Sequence, residues 1–143
     1  MDSSAHEALW ERQQAELWER LFQLAQDVSI LAEKFGAGQG SSIVRQELVR
    51  SAMSIGTHVV RGMAAYEESV FVASLEEARM QAIEADYWLR VAYVVEQNEV
   101  LQRDISRTIA QIASVIELLK KMASHIHHQH EGTRHVARTN VSL

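Results

Sequence analysis

The 143-residue chain contains no cysteine and no proline, only six glycines, and three residues each of tryptophan, tyrosine and phenylalanine. The absence of cysteine excludes disulfide-stabilised folds, thiolate zinc sites and cysteine nucleophiles. The scarcity of proline and glycine argues against the many tight turns that a β-sandwich or β-barrel requires. The composition therefore favours an all-α protein, and the length suits a single domain.

Membrane and export signals are also missing from the sequence. Residues 1–7 lack the basic start and the apolar run of a signal peptide, and no stretch approaches the roughly 18 uninterrupted apolar residues of a transmembrane helix. We therefore expect a cytoplasmic protein that does not bind membranes.

Apolar residues recur at alternating three- and four-residue steps in four stretches, which is the spacing that places them on one face of a helix. These stretches run from Leu17 to Phe35, from Val44 to Val59, from Phe71 to Ala92 and from Leu101 to Ile126. The sequence predicts helices near 7–35, 42–61, 67–96 and 99–128. Short links make successive helices antiparallel, so we expect one up-down antiparallel four-helix bundle domain over residues 1–130.

The breaks between the predicted helices coincide with small and polar residues. Glycines in the segment 36–40 end the first helix, and the serines at 41–42 are suited to cap the second. A turn is predicted at 62–66, and Asn98 is a suitable N-cap for the fourth helix. From Glu131 onward the apolar period is lost, which predicts a loose C-terminal tail over 131–143.

The charge alternates along the chain around a formal net value of −5. Segments 1–35 and 67–97 are net acidic, whereas segments 43–66 and 98–143 are net basic. Since neighbouring helices in an up-down bundle are neighbours in sequence, charge pairing between helices is the simpler interpretation. The alternative is a nucleic-acid surface on helices two and four, in which these residues contact phosphates: Arg45, Arg50, Arg61, Arg103, Arg107, Lys120 and Lys121.

Helix two carries a polar face that is separate from its apolar stripe. Its members follow one another at steps of three and four residues: Glu47, Arg50, Ser54, His58 and Arg61. Guanidinium groups suit carboxylates and phosphates, and the many small residues of this helix permit close approach of another helix. We predict that Arg50, Ser54, His58 and Arg61 lie in a subunit interface, the alternative being a solvated face with local Glu–Arg pairs.

Helices one and three carry more apolar surface than a single bundle core needs. The additional residues are Trp18, Phe22 and Ala25 on helix one, and Met80, Ile83, Tyr87, Val91 and Val94 on helix three. Extended apolar surface usually marks an association site, so we predict that Trp18, Phe22, Met80, Ile83 and Tyr87 contribute to homo-oligomer contacts. The alternative is a broad core stripe.

The sequence contains few residues in patterns typical of catalysis or metal binding. Four histidines cluster near the predicted end of helix four: His125, His127, His128 and His130. Their spacing places pairs on one helical face, but no third ligand or supporting shell is apparent, so we predict no physiological metal site. No phosphate-binding loop and no nucleophile beside a base are present. We therefore expect a protein that is not an enzyme and needs no cofactor.

Helices two and three resemble a four-helix bundle family. This family includes proteins encoded in intervening sequences of bacterial large-subunit ribosomal RNA and the accessory variability determinant of diversity-generating retroelements. The resemblance covers roughly residues 16–125 and is carried by Leu48, Arg50, Ala52, Ser54, Ile55, Gly62, Phe71, Leu75, Ala78, Glu84, Asp86, Trp88, Leu89 and Ala92. The family commonly has proline, asparagine and glutamate where this chain has Gly56, His58 and Arg61, so the polar face of helix two departs from its pattern.

The resemblance implies a non-enzymatic protein that assembles into a pentameric barrel. It also implies, through the retroelement member, a reverse transcriptase and nucleic acid as partners. We expect a homo-oligomeric scaffold that presents a surface to a protein or RNA partner, such as the reverse transcriptase of a diversity-generating retroelement. The alternative is a nucleic-acid-binding accessory protein, an RNA- or DNA-binding role that the acidic balance of the chain opposes.

Overall fold

In a computed structural model, the protein consists of four α-helices: α1 (Ser3–Glu33), α2 (Gln39–Ala64), α3 (Glu68–Val95) and α4 (Glu99–Val141). The structure describes the backbone of residues 3–141 and the side chains of residues 3–126. Each helix packs against its neighbours in sequence, and α1 also packs against α4. The helices therefore form a closed ring in which α1 and α3 are diagonal partners, and the predicted all-α four-helix bundle is confirmed.

The core consists of the four predicted apolar stripes. The stripes of α1, α2 and α4 are buried along their whole length, and that of α3 is buried except at Phe71, which is half-buried at one end of the bundle. Each fully buried leucine or isoleucine contributes roughly 1.5–3 kcal/mol through the removal of apolar surface from water. Polar residues occupy much of the outer surface, and none of the helices, over the described residues, has the length and apolar character needed to cross a bilayer.

Small side chains let α2 and α3 approach each other closely. A Cβ atom placed on Gly62 of α2 would lie 2.7 Å from the Cβ of Ser74 and 2.9 Å from the Cδ2 of Phe71, both in α3. Gly62 lies inside α2, and the predicted turn at 62–66 is wrong in its position because α2 continues to Ala64. The glycine provides space for α3 instead of a chain reversal.

The ends of two helices test the capping predictions. The predicted serine caps of α2 are wrong, because Gly38 is the N-cap residue and no side chain caps this end. Ser42 instead donates its backbone N–H to the Gly38 carbonyl oxygen at 2.9 Å, and Ser41 is buried. The predicted cap of α4 is confirmed, since the backbone N–H of Leu101 donates to Asn98 Oδ1 at 3.1 Å.

The fourth helix is longer than the apolar period predicts. It continues to Val141, whereas the sequence predicts a helix end near residue 128 and a loose tail from Glu131. The segment contains no proline and a single glycine, Gly132, so backbone hydrogen bonding continues although the apolar stripe ends. The side chains of His127, His128 and His130 lie outside the described residues.

Candidate functional site

Two residues on the polar face of helix two contact glutamates of α3 within the same chain. Arg50 donates from Nε and Nη2 to Glu47 Oε2 at 3.1 and 2.8 Å, and its Nη2 also contacts Glu84 Oε1 of α3. The hydrogen bonds with Glu47 and then Glu84 raise the pKa of the Arg50 guanidinium above its ordinary value. His58 Nδ1 lies 3.0 Å from Glu77 Oε2 of α3. The contact of Arg50 with Glu84 is a charge pair between neighbouring helices, as the alternating charge predicts.

The two other predicted interface residues of α2, Ser54 and Arg61, differ in whether their side chains have a partner in the described part of the chain. The hydroxyl of Ser54 donates to the Arg50 carbonyl oxygen at 2.7 Å, a bond within the helix. Arg61 is exposed and forms no ion pair or side-chain hydrogen bond with the part of the chain that the structure describes. Arg61 is therefore accessible to a partner.

An apolar groove runs between α1 and α2, with a volume of about 450 Å³. The rings of Trp18 and Phe22 stack along one wall with centroids 5.8 Å apart, and Phe22 is 68% exposed. A Cβ atom on Gly56 would meet nothing within 4 Å, so the groove is open above this residue. We call this surface the α1–α2 groove; its lining residues are Trp18, Leu21, Phe22, Ala25, Ala52, Met53, Gly56, Thr57, Val60 and Arg61.

The groove brings together predicted residues from two separate surfaces and adds others that the sequence analysis misses. Trp18 and Phe22 belong to the predicted apolar surface of helix one, and Arg61 belongs to the polar face of helix two. Met53 and Val60 are exposed apolar residues of α2 that were not singled out. Their seven-residue spacing, two helical turns, is the signal that could have identified them.

A second exposed apolar surface lies on the outward side of α3. Its residues are Met80 at 59%, Ile83 at 42%, Tyr87 at 58% and Val94 at 73% exposure, together with the half-buried Val91. We call this surface the α3 stripe. Because α1 and α3 are diagonal partners in the ring, their outward faces point to opposite sides of the bundle. The α1–α2 groove and the α3 stripe therefore lie on different sides of the bundle.

Some of the basic residues bind other groups of the described chain, and others have no ion-pair partner there. The Arg45 guanidinium donates to the carbonyl oxygens of Ala32 at 2.9 Å, Phe35 at 3.0 Å and Gly36 at 2.7 Å, so it caps the C-terminal end of α1. Since Arg50 is also engaged, the structure leaves few of the predicted phosphate contacts on α2 available.

The basic residues of α4 remain exposed. They are Arg103, Arg107, Lys120 and Lys121, which we call the α4 basic face. Arg107 lies 3.6 Å from Asp104. The other three form no ion pair with the described residues, and Arg103, Arg107 and Lys121 share one outward side of the helix. This face is the part of the predicted nucleic-acid surface that the structure keeps accessible.

No metal centre is assembled in the described part of the chain. Among its histidine, aspartate and glutamate side chains, no group of three or more is arranged to hold an ion. The candidate functional regions are therefore the α1–α2 groove, the α3 stripe and the α4 basic face.

The comparison with known protein families gives one match. The family described as 23S rRNA-intervening sequence protein matches residues 13–121, which is more than half of the chain. The matched segment contains the whole α1–α2 groove, the whole α3 stripe and the α4 basic face. No curated protein and no solved structure matches the chain.

Proposed function

The chain belongs to the 23S rRNA-intervening sequence protein family, and on this premise we propose that it is a non-catalytic scaffold built from several copies of itself. The observation that carries this proposal is the presence of two separate exposed apolar surfaces on one bundle. In the proposed assembly, the α3 stripe of one copy docks into the α1–α2 groove of the next.

Two unlike and separate surfaces favour a head-to-tail arrangement. A two-fold dimer needs a patch that is complementary to itself, whereas a contact between unlike patches propagates from copy to copy and closes into a ring when the rotation allows. Contiguous apolar surface of this kind marks association sites in soluble proteins. A five-membered ring is the closure that the family resemblance implies.

Arg61 supports the same interface from its position in the groove. It is exposed there and has no ion-pair partner in the described part of its own chain. A carboxylate of the docking copy would pair with this guanidinium at the polar edge of an apolar contact, which is the usual arrangement of protein interfaces.

A pair of blocking variants tests the docking of unlike surfaces. Gly56→Leu fills the groove without an internal clash, because nothing lies within 4 Å of a Cβ at this position. Tyr87→Glu places a charge on the α3 stripe. Each variant alone should be monomeric by native mass spectrometry. An equimolar mixture should form dimers, because each variant supplies the surface that the other lacks.

The controls for this experiment change the same helix or add the same charge elsewhere. Gly56→Ala adds only a methyl group to the groove, and Ser106→Glu adds an acid to the exposed surface of α4; both should keep the mass of the wild-type assembly. A wild-type monomer at micromolar concentration would overturn the scaffold. Blocked variants that remain monomeric when mixed would overturn the docking of groove onto stripe.

A second candidate function is contact with RNA through the α4 basic face. The observation that favours it is that Arg103, Lys120 and Lys121 are exposed and unpaired within the described chain, while Arg45 and Arg50 are engaged. The name of the family associates its members with ribosomal RNA. The reverse transcriptase partner implied by the retroelement relatives stays a prediction.

Salt dependence tests the RNA contact. Phosphate contacts release counterions, so the affinity for a single-stranded RNA oligonucleotide should fall steeply with salt, and each contacting residue adds about 0.7 to the slope of log K against log salt concentration. Arg103→Gln and Lys121→Gln should each reduce that slope, measured by fluorescence anisotropy. Arg90→Gln, which removes a cation already paired with Asp86 on α3, is the matched control. Affinity that is independent of salt would contradict RNA binding by this face.

A further inference from the structure

A cavity of about 720 Å³ opens at one end of the bundle, where the start of α1 meets the α2–α3 connection and α4. We call it the end cavity. The ring of Trp10 meets Phe71 edge-on with centroids 5.5 Å apart and stacks on His125 with centroids 6.1 Å apart. The ring of His6 lies 5.3 Å from that of His125. The cavity is separate from the α1–α2 groove and from the α4 basic face.

The lining of the end cavity is acidic. Glu7, Glu67 and Glu68 contribute to it, and no lysine or arginine of the described chain does so. The carboxylates of Glu7 and Glu67 form no ion pair or side-chain hydrogen bond with the described residues. A concave site lined by charges of one sign attracts ligands of the opposite sign. The sign of the described lining favours cations.

The aromatic walls and the histidines restrict the cation further. Trp10 and Phe71 present π-faces and edges of the kind that bind a desolvated organic cation. His6 Nδ1 and His125 Nε2 are buried and have no hydrogen-bond partner in the described structure. Unsatisfied buried polar atoms are uncommon in folded proteins. An ammonium, amidinium or guanidinium group provides a charge that both the carboxylates and the aromatic rings attract.

We propose that the end cavity is a binding site for a small organic cation that joins an amidinium or guanidinium group to an apolar body. The apolar body packs against Trp10 and Phe71, and the carboxylates of Glu7 and Glu67 bind the charge. A planar, delocalised cation suits this lining because it stacks on aromatic faces and pairs with carboxylates. The proposal does not depend on oligomer formation or on RNA binding.

A series of three ligands of nearly the same shape tests the charge preference. Benzamidinium, benzamide and benzoate differ in net charge at about pH 8, being positive, neutral and negative. Each is titrated into the full-length ¹⁵N-labelled protein, and the indole N–H resonance of Trp10, assigned by its loss in Trp10→Phe, reports binding. Benzamidinium should bind with a millimolar or lower dissociation constant, benzamide should bind at least about fivefold more weakly, and benzoate should bind more weakly still.

Single acid-to-amide variants test the assigned residues. Glu7→Gln and Glu67→Gln should each weaken benzamidinium binding by about three- to fivefold, since each removes one charge from the cavity and keeps the shape. Glu33→Gln removes the same charge from the opposite end of α1 and should leave the affinity unchanged. Glu7, Glu67 and Glu33 are exposed, so these variants should fold like the wild type, as measured by circular dichroism.

Three results would overturn the proposal. One is the absence of saturable benzamidinium binding up to about 10 mM, and another is equal affinity for the three ligands. The third is an affinity that Glu7→Gln and Glu67→Gln leave unchanged. A wild-type monomer in native mass spectrometry would overturn the scaffold but would not affect this titration, so failure of one proposal is distinguishable from failure of the other.

Discussion

Helix α2 packs closely against α3 but leaves an open groove toward α1, and two of its glycines show this difference. On the α3 side, a Cβ on Gly62 would lie 2.7 Å from Ser74, whereas on the α1 side a Cβ on Gly56 would meet nothing within 4 Å. The two residues are six positions apart in the same helix. The contrast shows that a small residue does not by itself specify close packing, because the side chains of the neighbouring helix decide whether the space is filled.

The neighbouring helices explain the contrast. Toward α3, Gly62 leaves space for Ser74 and Phe71 to approach closely, and Arg50 and His58 add contacts with glutamates of α3. Toward α1, the large rings of Trp18 and Phe22 stack on each other beside the groove and leave the space above Gly56 open. The closed side stabilises the bundle, and the open side is where we propose that a second copy docks.

Alanine at the two glycines should therefore change stability with opposite signs. Gly62→Ala should destabilise the protein by about 2 kcal/mol, because the new methyl group forces α3 to move and this cost exceeds the gain in helix propensity. Gly56→Ala should stabilise it by about 0.5–1 kcal/mol, because alanine favours the helix and meets no neighbour. Urea denaturation at one fixed chain concentration measures both values.

Because the two variants are the same substitution in one helix, each serves as the control of the other. Effects of the same sign and size would show that the two sides of α2 are equally open, and the comparison would then be wrong.

The second prediction concerns Arg45, whose guanidinium connects α2 to the end of α1 on the groove side of α2. Arg45→Met should lower the free energy of unfolding by about 1–1.5 kcal/mol, because the carbonyl oxygens of Ala32, Phe35 and Gly36 lose a charged donor. Arg45→Lys should restore part of this loss, since lysine keeps the charge without the forked geometry. Urea denaturation again gives the values.

Arg12→Met is the matched control on the exposed surface of α1, where the Arg12 side chain makes one long contact, with the Ala8 carbonyl oxygen at 3.4 Å. It should change stability much less than Arg45→Met. A loss at Arg45 no larger than that at Arg12 would show that the α1–α2 loop does not depend on this contact.

Local sequence patterns predict the fold because helix period and capping act over a few residues. The apolar stripes identify all four helices, and Asn98 identifies the start of α4. Glycine is more ambiguous, since Gly62 reads as a turn residue and provides space for Ser74 instead. The end of α4 lies beyond its predicted position because the loss of an apolar stripe does not interrupt backbone hydrogen bonds.

The candidate surfaces are less predictable because they depend on partners distant in sequence. Trp18 and Phe22 are visible as excess apolar residues, but their meeting with Arg61 requires the positions of α1 and α2 in the ring. Arg45 is visible as a cation, but the carbonyl oxygens that it binds are not visible. The end cavity depends on His6 and His125, which are separated by almost the whole chain.

The smallest expected effect is on the closed side, at Arg50. Arg50→Met removes the contacts with Glu47 and Glu84, but these groups are largely exposed, so the loss of stability should be smaller than at Arg45 and should shrink as salt is added. The raised pKa keeps the guanidinium charged, and its contribution is present at all pH values below its unfolded-state pKa. The difference from wild type should therefore be lost as the pH rises through the raised pKa of Arg50.

Native mass spectrometry of the same variant separates the two interpretations of this face. If Arg50 acts within the chain, Arg50→Met should keep the assembly mass while losing a little stability at low salt. Arg90→Met, which breaks a pair with Asp86 inside α3 and links no second helix, is the control and should show a still smaller loss. A changed assembly mass with unchanged stability would assign Arg50 to a contact between copies. The α2–α3 side of the helix would then be a side on which a second copy docks.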